Sequence, residues 1–189
     1  MEIPKRNRKR DIKVIYFSLK LKTEAQDDLR WSKSDLLANV LAFTEDDPYA
    51  FEQIANDLML KMGYGFDNFE SGHVTKKSGD GGVDSIIFSD KLGLEKIYVQ
   101  AKRYDPKNSV GSPEVQQFKG SIGNSKGVFI TTSYFSKPAI AFVNDKSNSN
   151  IVLIDGDKLT ELMYEFGIGL QSKVTTIDIK ELDTDYFNK

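Results

Sequence analysis

The segment from Asp47 to Gly63 constrains the fold most tightly. Asp47 offers a side-chain acceptor to the free N–H groups of a first helical turn, and Pro48 suits that turn because it has no N–H to leave unpaired. Phe51, Ile54, Ala55, Leu58, Met59 and Met62 then recur at three- and four-residue spacing, and Gly63 supplies a stop. The pattern predicts a helix to about Met62 with one apolar stripe, which needs a sheet to pack on. Three strand-like runs follow at 68–75, 83–89 and 96–102, separated by glycine-containing turns. Beyond them the pattern predicts a helix at 113–122, a strand at 127–132, a helix at 136–143, a strand at 151–154, a helix at 157–166 and a strand at 173–179. This order predicts an α/β fold with a mixed β-sheet flanked by α-helices.

Residues 1–46 differ in character and are taken as an extension: a basic head through Arg10, a β-like run at 12–21 and a short helix at 34–43. The remaining residues, 47–189, form one domain. The basic head is not followed by a signal-like apolar segment, and no stretch approaches the roughly 20 apolar residues of a membrane span, so a cytoplasmic protein is expected. The absence of cysteine excludes disulfides, thiolate nucleophiles and cysteine-ligated metals. With His73 the sole histidine, a metal site would rest on oxygen ligands, which favours Mg2+, with Mn2+ as a substitute, over zinc. The net charge of −2 gives no global attraction to a polyanion, so nucleic-acid binding would need a local basic surface.

Side chains alternate along a strand, which puts Ile97, Val99 and Ala101 on one face of the third run and Tyr98, Gln100 and Lys102 on the other. Asp84 stands near the start of the preceding run, just after Gly79-Asp80-Gly81-Gly82. If the two strands are neighbours, Asp84, Gln100 and Lys102 converge. A carboxylate, an amide oxygen and the carbonyl of Ala101 can hold a divalent cation, while Lys102 can orient or deprotonate a water and offset charge building on a phosphate. Phosphodiester hydrolysis needs that combination. Lys76, Lys77, Arg103 and Lys107 flank the site and would give DNA a local basic surface.

The motifs Phe51-Glu52, Ser78 through Asp84, Tyr98-Val99-Gln100-Ala101-Lys102-Arg103, Val110 through Phe118, Gly127 through Thr132 and Ile151 through Gly156 resemble, in order and spacing, the catalytic domain of Mrr-type restriction endonucleases. These are a branch of the PD-(D/E)xK nuclease superfamily, and the resemblance covers about 47–187. It implies a restriction-endonuclease-like fold and a metal-dependent nuclease acting on double-stranded DNA. Asp84 would be the main metal ligand, Gln100 would stand where most of the superfamily has glutamate, Lys102 would be the catalytic lysine and Glu52 a supporting acidic ligand. It also implies a separate recognition domain, for which 1–46 is too short. Cutting both strands would favour a homodimer.

Other readings stay open at this stage. Asp84 alone suits an ordinary strand end, Gln100 and Lys102 suit a solvated strand face, and Glu52 suits a surface helix. A DNA-binding or assembly module of the same fold without turnover is one rival. A structure-selective nuclease like the Holliday-junction resolvases is another.

Overall fold

The computed structural model describes residues 33–65, 82–171 and 186. The basic head, the runs predicted as strands at 12–21, 68–75 and 173–179, and His73, Lys76 and Lys77 lie outside the described residues.

Helix α1 spans 33–43 and buries Leu36 and Val40, one turn apart. Helix α2, Pro48–Lys61, starts on the Asp47 side chain, which accepts the Tyr49 N–H at 2.9 Å, and ends at Met62, whose N–H bonds back to the Leu58 carbonyl. Its predicted stripe is the buried one: Phe51, Ala55, Leu58 and Met59 are each at most 1% exposed. Four-residue strand β1, Ser85–Phe88, is shorter than predicted, and it runs antiparallel to β2, Lys96–Lys102. Next come β3, Ser109–Val110; α3, Ser112–Ile122; β4, Lys126–Thr131; β5, Tyr134–Phe135; α4, Lys137–Asn144; a 3-10 turn, Lys146–Asn148; β6, Ile151–Ile154; and α5, Gly156–Phe166.

The main sheet has the order β1-β2-β4-β6, with β2, β4 and β6 parallel, and it is covered on both faces. Ile97, Val99 and Ala101 pack with α1, α2 and α5, whereas Tyr98 packs with α3 and α4. The second cluster is held by edge-to-face ring contacts of Phe129 with Phe118 and Phe135, at centroid distances of 5.5 and 5.6 Å. Gly127 permits this close helix-to-strand approach, because a Cβ there would lie 2.5 Å from Ile122 and 2.8 Å from Phe118.

Two features were not predicted. The parallel pair β3 and β5 forms a separate two-stranded sheet. Helix α1, though predicted as part of an extension, shares the core of the domain through Leu36 and Val40.

Candidate active site

The antiparallel register pairs Ser85 with Val99, which brings the preceding Asp84 opposite Gln100. The Asp84 N–H donates to the Val99 carbonyl at 2.9 Å, continuing the ladder one residue beyond β1. Its carboxylate turns onto β2, where Oδ2 accepts from the Gln100 side-chain Nε2 at 2.6 Å and from the Ala101 backbone N–H at 2.7 Å. Asp84, Gln100 and Ala101 are therefore neighbours, but they meet through the amide nitrogen and the backbone N–H rather than through the oxygens that the sequence suggested for a cation. Gln100 is not solvated: it is only 2% exposed, because α3 covers that face of β2.

Glu52 reaches the same place from α2. Its carboxyl is pushed up from 4.5 to about 7, first by burial and then by the negative charges of Asp84 and Asp47, against the lowering effect of Lys102. Burial also raises Asp84, opposed by the Ala101 N–H and by Lys102. Neither Glu52 nor Lys102 forms a side-chain hydrogen bond or ion pair among the described residues, so they are coupled to Asp84 through space.

The end of β2 that carries Lys102 is latched to β4. The Lys102 carbonyl accepts from Thr131 Oγ1 at 2.8 Å, and Thr132 Oγ1 both accepts from the Tyr104 N–H at 2.9 Å and donates to the Tyr104 carbonyl at 2.6 Å. Thr131 and Thr132 are fully buried, which keeps this backbone in one position. Arg103 points the other way. Its Nε donates to Thr44 Oγ1 at 2.9 Å and its Nη2 to the Leu41 carbonyl at 3.0 Å, so the guanidinium holds the C-terminal end of α1. Lys107 is exposed in the loop after β2.

A cavity of about 130 Å3 opens beside Gln100 and Lys102, walled by Gly82, Tyr104, Glu114, Gln117, Phe118 and Phe129. Tyr104 donates its hydroxyl to Glu114 Oε1 at 2.5 Å, and Glu114 Oε2 caps α3 by accepting the Gly111 N–H at 2.5 Å. Tyr104, Glu114 and Gln117 did not emerge as site residues from the sequence. Tyr104 does continue the alternation of Gln100 and Lys102, and Glu114 and Gln117 share a helix face at three-residue spacing, so a weak signal existed.

Among the described residues no three histidine, cysteine, aspartate or glutamate side chains converge on one point. A cation here would have two carboxylates, Asp84 and Glu52, with amide and carbonyl oxygens completing the set. That all-oxygen donor set suits a hard divalent ion.

The restriction endonuclease model Mrr_cat matches residues 44–163. The chain is 42% identical over 168 residues to the type IV methyl-directed restriction enzyme EcoKMrr of Escherichia coli (strain K12), covering 87% of the chain and 52% of that relative. It thus spans about half the length of the curated relative it matches. Among solved structures it is similar to the MspJI restriction endonuclease in complex with a 27-mer oligonucleotide, with a TM-score of 0.57 and 27% identity over 70% of this chain and 31% of that one. The DNA modification-dependent restriction endonuclease AspBHI shares the fold, with a TM-score of 0.60 and 23% identity over 74% of this chain and 36% of that one.

Proposed function

The chain belongs to the Mrr_cat family of restriction endonucleases, and from that premise we propose that it is a metal-dependent endodeoxyribonuclease that hydrolyses phosphodiester bonds in modified or foreign double-stranded DNA. The observation that supports the reading is Asp84, hydrogen-bonded to Gln100 and Ala101 at one end of a sheet covered on both faces, where burial raises its proton affinity and where burial and the Asp84 charge raise that of Glu52. Such a site gains most from a cation that offsets the two negative charges.

Asp84, Glu52, the Gln100 amide oxygen and the Ala101 carbonyl would hold Mg2+, with Mn2+ as a substitute. When bound, the ion supplies positive charge that polarises the phosphodiester and makes water more acidic. Lys102, held by the latched strand end, donates to a phosphate oxygen and offsets charge developing there in the transition state. Lys107, with Lys76 and Lys77, contacts flanking phosphates. Arg103 spends two donors on α1 and supports the site from behind. Two copies acting together would cut both strands. No described helix is long and apolar enough to cross a membrane.

The test is cleavage of supercoiled plasmid with Mg2+, with Mn2+ and with chelator. Asp84→Ala and Lys102→Ala should each abolish metal-dependent nicking while leaving circular dichroism unchanged. Near wild-type cutting by either variant would refute the assignment. A four-way junction cut in preference to linear duplex would move the reading to a structure-selective nuclease.

A further inference from the structure

The Gln100 carboxamide is oriented by Asp84 at one end and crowded by Gly82 at the other. Its Nε2 donates to Asp84 Oδ2 at 2.6 Å, as it must, because a carboxylate oxygen cannot face an amide oxygen without repulsion. That choice sends Oε1 to the opposite side, against Gly82. A Cβ built on Gly82 would lie 2.6 Å from Gln100 Oε1 and 3.7 Å from its Cδ, and Gly82 has φ +86°, where a side chain is strained whatever the space. The strand that carries Gln100 and the loop that carries Gly82 therefore meet at a carboxamide 2% exposed, with no room for a methyl group.

The geometry points to Gly82 as a positioning residue for Gln100: its bare Cα keeps the space in which the carboxamide can turn over, nitrogen towards Asp84 without a cation and oxygen towards a cation held by Asp84. The two ends of the amide have nearly the same shape, and the Cγ–Cδ bond is a soft torsion, so the turn needs no movement of β2. What it does need is that the Gly82 side accept an NH2 group as readily as an oxygen. The turnover rests on the cation-site reading above, whereas the positioning by Gly82 stands on the metal-free contacts alone.

Two measurements on the full chain separate these parts. The first is a urea double-mutant cycle in chelator with Gly82→Ala, Gln100→Ala and the double variant. Gly93→Ala serves as a control for strain at positive φ, since Gly93 has φ +70° in the turn between β1 and β2. Gly82→Ala should lower the midpoint more than Gly93→Ala does, and shortening Gln100 should remove the excess. If Gly82→Ala fails to fold, folding of the double variant supports the contact. Additive effects, or failure of both variants to fold, overturn the positioning role. The second measurement follows the Gln100 side-chain amide signals by NMR, assigned by their loss in Gln100→Ala, while Mg2+ is added. They should move in the wild type, and Gly82→Ala should weaken Mg2+ binding about tenfold. Coupling in the cycle with signals that ignore Mg2+ would leave Gly82 as a positioning residue and overturn the turnover together with Gln100 as a ligand.

Discussion

Glu52→Gln removes a carboxyl whose proton affinity the fold has raised, and its effect on stability has a definite sign. In the unfolded chain the group titrates near its ordinary 4.5, and in the fold near 7. The native state therefore binds this proton more tightly, so stability falls as pH rises from about 4.5 to about 7 and is flat above. At about 1.4 kcal/mol per pH unit that gap corresponds to ~3 kcal/mol, which water at this partly open site screens to about 1–2 kcal/mol. In chelator, Glu52→Gln should be more stable than wild type by that amount at pH 8 and nearly equal to it at pH 4.5. Asp84 tilts the wild-type curve in the same direction, so the difference between the two proteins' pH profiles, measured by urea denaturation, isolates Glu52. A cation reverses the sense of the titration, because it displaces the proton. Calorimetry with Mn2+ in two buffers of different ionisation enthalpy should show more proton released at pH 6 than at pH 8, with the difference lost in Glu52→Gln. Identical stability profiles in the two proteins would refute the raised proton affinity, and proton release unchanged in Glu52→Gln would remove Glu52 from the cation site.

Three further outcomes are expected. Asp84→Asn should weaken Mn2+ binding in calorimetry, while Lys102→Ala leaves it intact or tighter by removing a nearby positive charge; equal losses would mean the roles are misassigned. Gln100→Glu puts a second carboxylate where an amide now donates to Asp84 at 2.6 Å, so it should destabilise the cation-free protein by about 1–3 kcal/mol and tighten Mg2+ binding. Unchanged affinity would show that residue 100 is not a ligand. DNA binding should fall with salt by roughly one log–log slope unit per phosphate contacted, and cleavage should barely separate methylated from unmethylated duplex, since a few cations grip phosphates without reading base edges. A tenfold preference in direct competition at fixed salt, about 1.4 kcal/mol, would show that this chain reads the modification itself.

What the sequence determined by itself was whatever depends on neighbours along the chain. Asp47-Pro48 and the stripe from Phe51 to Met62 delimit α2 because capping and helical periodicity are local, and alternation in Lys96–Lys102 delimits β2 for the same reason. Asp84, Gln100 and Lys102 could be named because a strand pairing with its neighbour offers few registers. Strands of two residues, as in β3 and β5, carry no period, and their pairing comes from the loops that bring them together. Tertiary structure alone decided which polar residues were buried. The packing of α3 over β2 settled against a solvated strand face and left Gln100 2% exposed, and the packing of α2 brought Glu52 within the field of Asp84. It also decided that Arg103, adjacent to Lys102 and basic, faces α1. Proton affinity and amide orientation are set by groups distant in sequence, and no local pattern encodes them; alternation along the strand turns Arg103 away from Lys102, but only the fold supplies α1 as its partner.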